Sequence, residues 1–350
     1  MRKSCPMDFA SVASTSLSQL LVGLRVSVAV TTYQSGRVIV VRGDERGVNT
    51  HLLAFESPMG IAVRPDRFAL GTKQQIWDYR NQPAVVDRLE DPARYDACYI
   101  PRAVHWTGDI GVHELVWAQD ELHVVSTAFS CLATVDADHS FVPYWRPPFV
   151  SAYSPDDRCH LNGVGTRDGA VRYVTALGRT DVGHGWRENK LDGGVLMEVP
   201  GGEVVSAGLC MPHSPRWHGG RLWVLESGKA ALNVVDEDSG RTTVVAQVPG
   251  FARGLAFAGP YAFIGLSQVR ESVFAGLPIT QIPDRSCGLW VVDTRSGATV
   301  AFLRFEGDVQ EIFDVQLIPA RYPEVLEADS DLTRTSYVLP DVALADVAGR

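Results

Sequence analysis

Two histidines a hundred residues apart, His113 and His213, head segments that align without a gap. The first reads "GVHELVWAQDELHVVSTAFSCLATVD" and the second "HSPRWHGGRLWVLESGKAALNVVD". Trp117 falls on Trp217, Leu122 on Leu222, and Val135-Asp136 on Val235-Asp236. The head "HLNGVGTRDGAVRYVTALG" puts His160 in the same register after a two-residue adjustment. "RGLAFAGPYAFIGLS" puts Arg253 at the equivalent place one unit later. Three imidazoles related by a repeat suit a facial transition-metal site, because each offers one ring nitrogen and positions stay open for substrate. Such a metal would activate water or oxygen or polarise a carbonyl. An arginine at the same radius suits a carboxylate or phosphate, which its planar fork meets with two hydrogen bonds. The bland alternatives are satisfied structural histidines and an arginine paired with a buried acid.

Neighbouring residues extend the candidate set. His105 and Asp109, in "HWTGDIGVHE", are candidates for a fourth ligand or for an acceptor of a ligand's free N–H. Asn162 shares the face of His160 by strand alternation and could orient substrate, or merely brace a turn. Glu311 and Asp314, in "VQEIFDVQ", could bring a carboxylate to the same axis. The alternation that favours Asn162 turns Glu114 away from the histidines, and it makes Cys159 a buried thiol rather than a nucleophile. No nucleotide-binding glycine loop, nucleophile elbow or HExxH helix is present.

These residues need elements to position them. Beyond a helical segment in residues 1–24, and a second helical stretch expected at 322–330, the chain alternates short Val-, Leu-, Phe- and Trp-rich runs with Gly, Asp, Asn and Pro turns. Repeat heads start at 59, 113, 160, 213 and 253, so intervals run from 40 to 54 residues with about four strand-like runs in each. That period indicates propeller blades. The expected fold is all-β: a six-bladed β-propeller over 25–320, preceded by an N-terminal segment (1–24) and followed by a C-terminal tail (321–350). The sixth blade comes from 25–55, closed by "EIFDVQLI" at 311–318, which removes open sheet edges. Two long insertions, 178–194 and 267–288, are candidate pocket walls.

Composition bounds the partners. Of the 350 residues 45% are hydrophobic and 21% charged, and the formal net charge of −9 argues against nucleic acid and anionic membrane surfaces. The six cysteines have no CxxC spacing and read as scattered thiols of a reducing compartment, with the cytoplasm as the default location.

The phrases "TTYQSGRVIVVRG", "PMGIAV", "FSCLATVD", "SFVPYWRPPF", "DRCHLNGV", "GHGWRENKLDGG" and "MPHSPRWHGGRLWVL" resemble a widespread bacterial family of conserved proteins of unknown function. The likeness spans about residues 18–320, and that family stands near the gluconolactonase- and regucalcin-like six-bladed propellers. The resemblance implies the propeller and no activity. Lactonase relatives hold a divalent cation through oxygen ligands, where this chain has histidines.

The resulting expectation is a metal-dependent enzyme with His113, His160 and His213 as ligands and His105 as a further one. Asp109, Asn162, Arg253 and Glu311 would serve a small-molecule or peptide substrate, which Arg253 makes anionic. Iron or copper is favoured and would give oxidative, oxygenase-like chemistry, since an all-nitrogen site with open positions suits oxygen activation; zinc or manganese would give hydrolysis or elimination. The alternatives are a non-catalytic binding propeller and a metal-free hydrolase using histidine and aspartate as acid and base.

Overall fold

In the structure, a computed structural model that describes residues 7–269 and 274–348, six sheets surround one axis. The inner strand of blade I is Asp314–Ile318, followed outwards by Ser27–Thr32, Arg37–Asp44 and Gly47–Ala54. The chain's last propeller strand therefore pairs antiparallel with its first, Asp314 opposite Thr31 and Ile318 opposite Ser27, and closes the ring. The inner strands of blades II to VI are Ile61–Arg64, Val112–Ala118, Leu161–Arg167, Pro212–His218 and Phe251–Ala258. Each begins at or within two residues of a repeat head, so all the heads arrive on one end of the channel.

Both flanks of the propeller add to it. Ser11–Ala13 pairs with Ala298–Phe305, so blade VI has five strands. The helix Thr15–Leu24 then lays Leu17 and Leu21, both fully buried, against blades I and VI. Each leucine so buried contributes about 1.5–3 kcal/mol. Gly43 permits that approach, since a Cβ there would lie 2.9 Å from the Ser18 carbonyl oxygen. The helical stretch expected at 322–330 is instead a strand: Pro323–Val325 runs parallel to the outer strand of blade II, Ala97–Trp106. Tyr322 and Val325 are buried, and Arg42 donates to the Pro323 carbonyl at 2.8 Å. Glu324 accepts from Arg42 at 3.4 Å, and His51 Nε2 lies 2.9 Å from the Val325 carbonyl oxygen, anchoring contacts that helical periodicity could not express. The first part of the expected tail is thus blade structure; exposed chain begins at Glu327.

Blades pack closely where small residues allow it. A Cβ on Gly163 would meet Pro215 Cδ at 2.5 Å, so blade V reaches blade IV only because that position is glycine. Apolar clusters fill the wedges between blades. The five described cysteines are free and buried; burial pushes the Cys98, Cys131 and Cys159 thiols up to about 12, so they are packing groups rather than nucleophiles. Cys5 lies outside the described residues. No described helix is long and apolar enough to cross a membrane.

Candidate functional site

The register of four consecutive inner hairpins breaks at the same place, just past the head. The shifts fall at Val124/Ser126 opposite His113, between Leu161 and Gly163, between His213 and Arg216, and between Ala252 and Leu255. Such bulges re-aim side chains that strict alternation would send elsewhere. Five non-glycine residues with left-handed backbone flank the same site: Asp157, His160, His184, Met211 and Ser214. Backbone of this kind is costly and persists where surrounding contacts enforce it.

The bulges bring three histidines together. The ring of His113 lies 5.6 Å from that of His160 and 5.7 Å from that of His213, centroid to centroid. Each imidazole has an oxygen partner. Asp157 sits 2.9 Å from His160 Nδ1, and His213 Nδ1 faces the Met211 carbonyl at 3.0 Å and Ser227 Oγ at 2.9 Å. His113 has a backbone partner in Asn162. Asp157 also accepts from Trp186 Nε1 at 3.0 Å, and the Trp186 ring covers His160 with centroids 4.4 Å apart.

Arg253 completes the cluster. It lies, partly buried, over the face of Phe313, its guanidinium carbon 3.5 Å from the ring centroid. Its Nη2 donates to His113 Nε2 at 2.6 Å, and its Nη1 to Glu311 at 3.4 Å. Its Nε is buried with no hydrogen-bond partner. Burial lowers its pKa to about 10, with Glu311, Asp314 and Glu114 working in the opposite direction, so it stays charged at neutral pH. Burial first, and the Arg253 charge second, push His113 and His213 well below the ordinary imidazole range. Arg253 is therefore a fixed cation beside the neutral imidazoles of His113 and His213. Among the described residues, no group of three or more His, Cys, Asp or Glu is arranged to hold a metal.

Two connected hollows open at Arg253, which lines both together with Phe251 and Phe274. One, about 130 Å³, adds His160, His213, Leu177, Met211, Trp186 and Lys190. The other, about 300 Å³, adds Tyr33, Gln34, Gln268, Gln310 and Glu311. Both expected insertions thus supply walls, Trp186 and Lys190 from the first and Gln268, Val269 and Phe274 from the second. Residues 270–273 of the second lie outside the described part.

Further along the inner strands a second polar group fills the axis. Arg216 pairs with Glu114 and donates to the Val164 and Leu255 carbonyls, each at 2.9 Å. Glu114 in turn accepts from the Val164 N–H at 2.6 Å. Asp314 accepts from the Ile61 N–H at 3.0 Å and the Val315 N–H at 2.7 Å. These bonds join the inner strands of blades III to VI in one set and those of blades I and II in another. Glu114, expected to point away, is buried in this group because the bulge beside His113 breaks the alternation.

Several sequence candidates stand elsewhere. His105 is on the outer strand of blade II, opposite Ile76, with Nε2 2.9 Å from the Ser140 carbonyl oxygen. It is removed from the axis by the width of the blade and joins no site. Asp109 is exposed in the connection between blades II and III, with no contact to the histidines among the described residues. Asn162 is buried, donates to the Pro212 carbonyl at 3.0 Å and accepts from Thr175 at 2.6 Å, so its amide ties blade IV to blade V. Glu311 does reach the site, through Arg253. Sequence reasoning missed Asp157, Phe313 and Trp186. Only Trp186 had a signal, its place in the first insertion.

The buried groups set a pH dependence. His113 and His213 stay neutral in the fold while the unfolded chain takes up protons below about 6.5, so both remove stability as pH falls through that value. Asp314 acts with the opposite sign. Burial first and the Glu114 charge second raise its pKa from 3.8 to about 7, so the folded state binds its proton earlier and gains stability as pH falls. Asp314→Asn removes that compensation. Urea unfolding between about pH 7 and about pH 5 should show a steeper loss of stability in the variant than in the parent. An unchanged slope would contradict the assignment.

A family model described as "Domain of unknown function (DUF4915)" matches residues 15–326. No curated protein matches the chain. Among solved structures, a protein of unknown function from Bacteroides caccae is similar with a TM-score of 0.53 and 10% identity, covering 84% of this chain and 99% of that one. A chain of a nidogen/laminin complex is similar with a TM-score of 0.49 and 7% identity, covering 85% of this chain and 99% of that one. At these identities the first likeness speaks to the fold alone, and the second carries no argument.

Proposed function

We propose that this chain, which belongs to the DUF4915 family, uses its channel mouth to bind a small organic anion, a carboxylate carried on an apolar or aromatic body. The observation that carries this reading is Arg253. A guanidinium whose side chain is only 14% exposed is costly unless fully paired, yet its nearest carboxylate is 3.4 Å away and its Nε is buried without a partner. A ligand carboxylate would supply the missing acceptor. Phe251, Phe274 and Trp186 offer the apolar wall that such a ligand's body needs. His160 and His213 line the same hollow, and His213, held neutral by its burial, could take a proton from a bound substrate.

The probe is phenylacetate, titrated by calorimetry beside its neutral counterpart 2-phenylethanol. Saturable binding of the acid, about thirtyfold tighter than the alcohol, is expected from one charge-assisted contact in a desolvated pocket. Equal affinities would contradict the reading.

A second reading, a divalent transition metal on His113, His160 and His213, is supported by one observation: each ring already has an oxygen partner, as metal-bound histidines do. Iron or copper would then bring oxidative chemistry, and zinc or manganese hydrolytic chemistry. It requires Arg253 to leave His113 Nε2, since the guanidinium occupies the lone pair a metal would need. Elemental analysis separates the two: stoichiometric metal that is lost in the His113→Ala/His213→Ala double variant would favour the metal. The kinship with gluconolactonase- and regucalcin-like propellers is a proposal about ancestry only. Histidines and an arginine at the mouth give no support to a lactonase built on oxygen ligands.

A further inference from the structure

A separate hollow of about 360 Å³ lies on the outer side of the propeller, between blades I and II and the segment that follows Pro323–Val325. Its walls include Phe55, Trp77 and Tyr79. Phe55 stands nearly perpendicular to both other rings, at 73° to Trp77 with centroids 5.6 Å apart and at 74° to Tyr79 at 6.3 Å. Trp77 and Tyr79 themselves are 6.5 Å apart. Glu56, Glu327 and Asp329 stand around these rings, and no lysine or arginine is among the lining residues. The lysine at the rim, Lys73, is 3.9 Å from Glu56.

The acidic wall is held in place. Leu326 N–H donates to the Tyr99 carbonyl at 2.9 Å, and the Glu327 carbonyl accepts from Ser330 N–H at 3.2 Å and Thr333 Oγ1 at 2.9 Å. Glu327 lies near enough to Tyr79 to add to the rise in that phenol's pKa, after burial. Tyr79 is fully buried and stacked on Phe68 with centroids 4.7 Å apart, so it backs the hollow, and the partly exposed rings are those of Phe55 and Trp77. Two aromatic rings meeting nearly at right angles, with carboxylates at their edge, are complementary to one chemistry: a positive charge spread over apolar substituents. The ring faces attract the cation through their quadrupoles, and its methyl groups take the place of water on the walls. A bare alkali or divalent ion would instead demand oxygen ligands that the aromatic walls do not offer.

We propose that this hollow binds a small organic ammonium, of the quaternary or methylated kind. It is distinct from the channel mouth, and the two sites differ in the sign of ligand they take. The test is a titration with choline, and with 3,3-dimethylbutan-1-ol as the isostere that lacks the charge, at matched ionic strength. The readout is the Trp77 indole N–H resonance, whose proton is donated to Gln75 at 3.1 Å. The expected result is a saturable shift with choline, about tenfold tighter than with the alcohol. Glu327→Gln/Asp329→Asn, on exposed side chains and so without a folding penalty, should weaken choline about threefold and leave the alcohol unchanged. Trp77→Leu, followed by calorimetry because it removes the reporter resonance, should abolish the preference for the charged ligand. Equal binding of the two ligands, no shift with choline, or choline binding indifferent to the carboxylate changes would each overturn the proposal.

Discussion

Replacing Arg216 by methionine is expected to cost about 3–5 kcal/mol of unfolding free energy, the largest single effect predicted for this chain. The arginine is partly buried among the inner strands, pairs with the buried Glu114, and satisfies the Val164 and Leu255 carbonyls. Burial opposes its charge, but Glu114 and Asp314 outweigh that and hold its pKa above the ordinary value. Methionine fills most of the volume and leaves Glu114 as an uncompensated buried anion with two carbonyls unserved. Chemical denaturation should show the loss. The deficit should shrink as pH is lowered, because an unpaired Glu114 takes a proton in the fold before it does in the unfolded chain. The double variant Glu114→Gln/Arg216→Met should lose less than the sum of the singles, since the pair acts as one unit. Additive losses would mean that the two side chains do not depend on each other.

The second large effect concerns Arg253. Arg253→Met should weaken phenylacetate about a hundredfold, about 2.7 kcal/mol, because the variant loses the charge-assisted contact and also leaves the ligand carboxylate desolvated without a partner. Arg253→Lys should fall between, because an ammonium keeps the charge but loses the fork. The methionine variant should also let His113 and His213 move back towards the ordinary imidazole range, since the Arg253 charge is the second cause of their depression after burial. Calorimetry reads the first effect, and imidazole proton resonances followed against pH read the second. A variant that lost neither affinity nor the depression would place the ligand elsewhere.

The fold was legible because a propeller writes its period into the chain. The gapless match of His113 to His213 and the recurring heads counted the blades, and "EIFDVQLI" marked the closing strand, of which residues 314–318 do pair with Ser27–Thr32. The site was legible to the extent that repeat symmetry carries it: His113, His160, His213 and Arg253 meet because equivalent heads meet. What failed were inferences from sequence neighbourhood. His105 is eight residues from His113, but the chain crosses from the rim of one blade to the axis of the next between them. Alternation failed for Glu114 because a bulge leaves no local signal in residue type. The two-residue adjustment needed to align His160 has its counterpart in the structure, where that residue precedes its strand and takes a left-handed backbone. Asp157 and Trp186 reach His160 from loops whose paths are set by the whole fold, so their roles could not be read from spacing.

One measurement bears most directly on the central claim, that Arg253 receives an organic anion at the channel mouth. A crystal of the protein grown with 4-bromophenylacetate would locate the bromine by its anomalous scattering. The account predicts a bromine among Phe251, Phe274 and Trp186, with the carboxylate on Arg253. A channel mouth without bromine, and an anomalous metal peak coordinated by His113, His160 and His213 in its place, would contradict it.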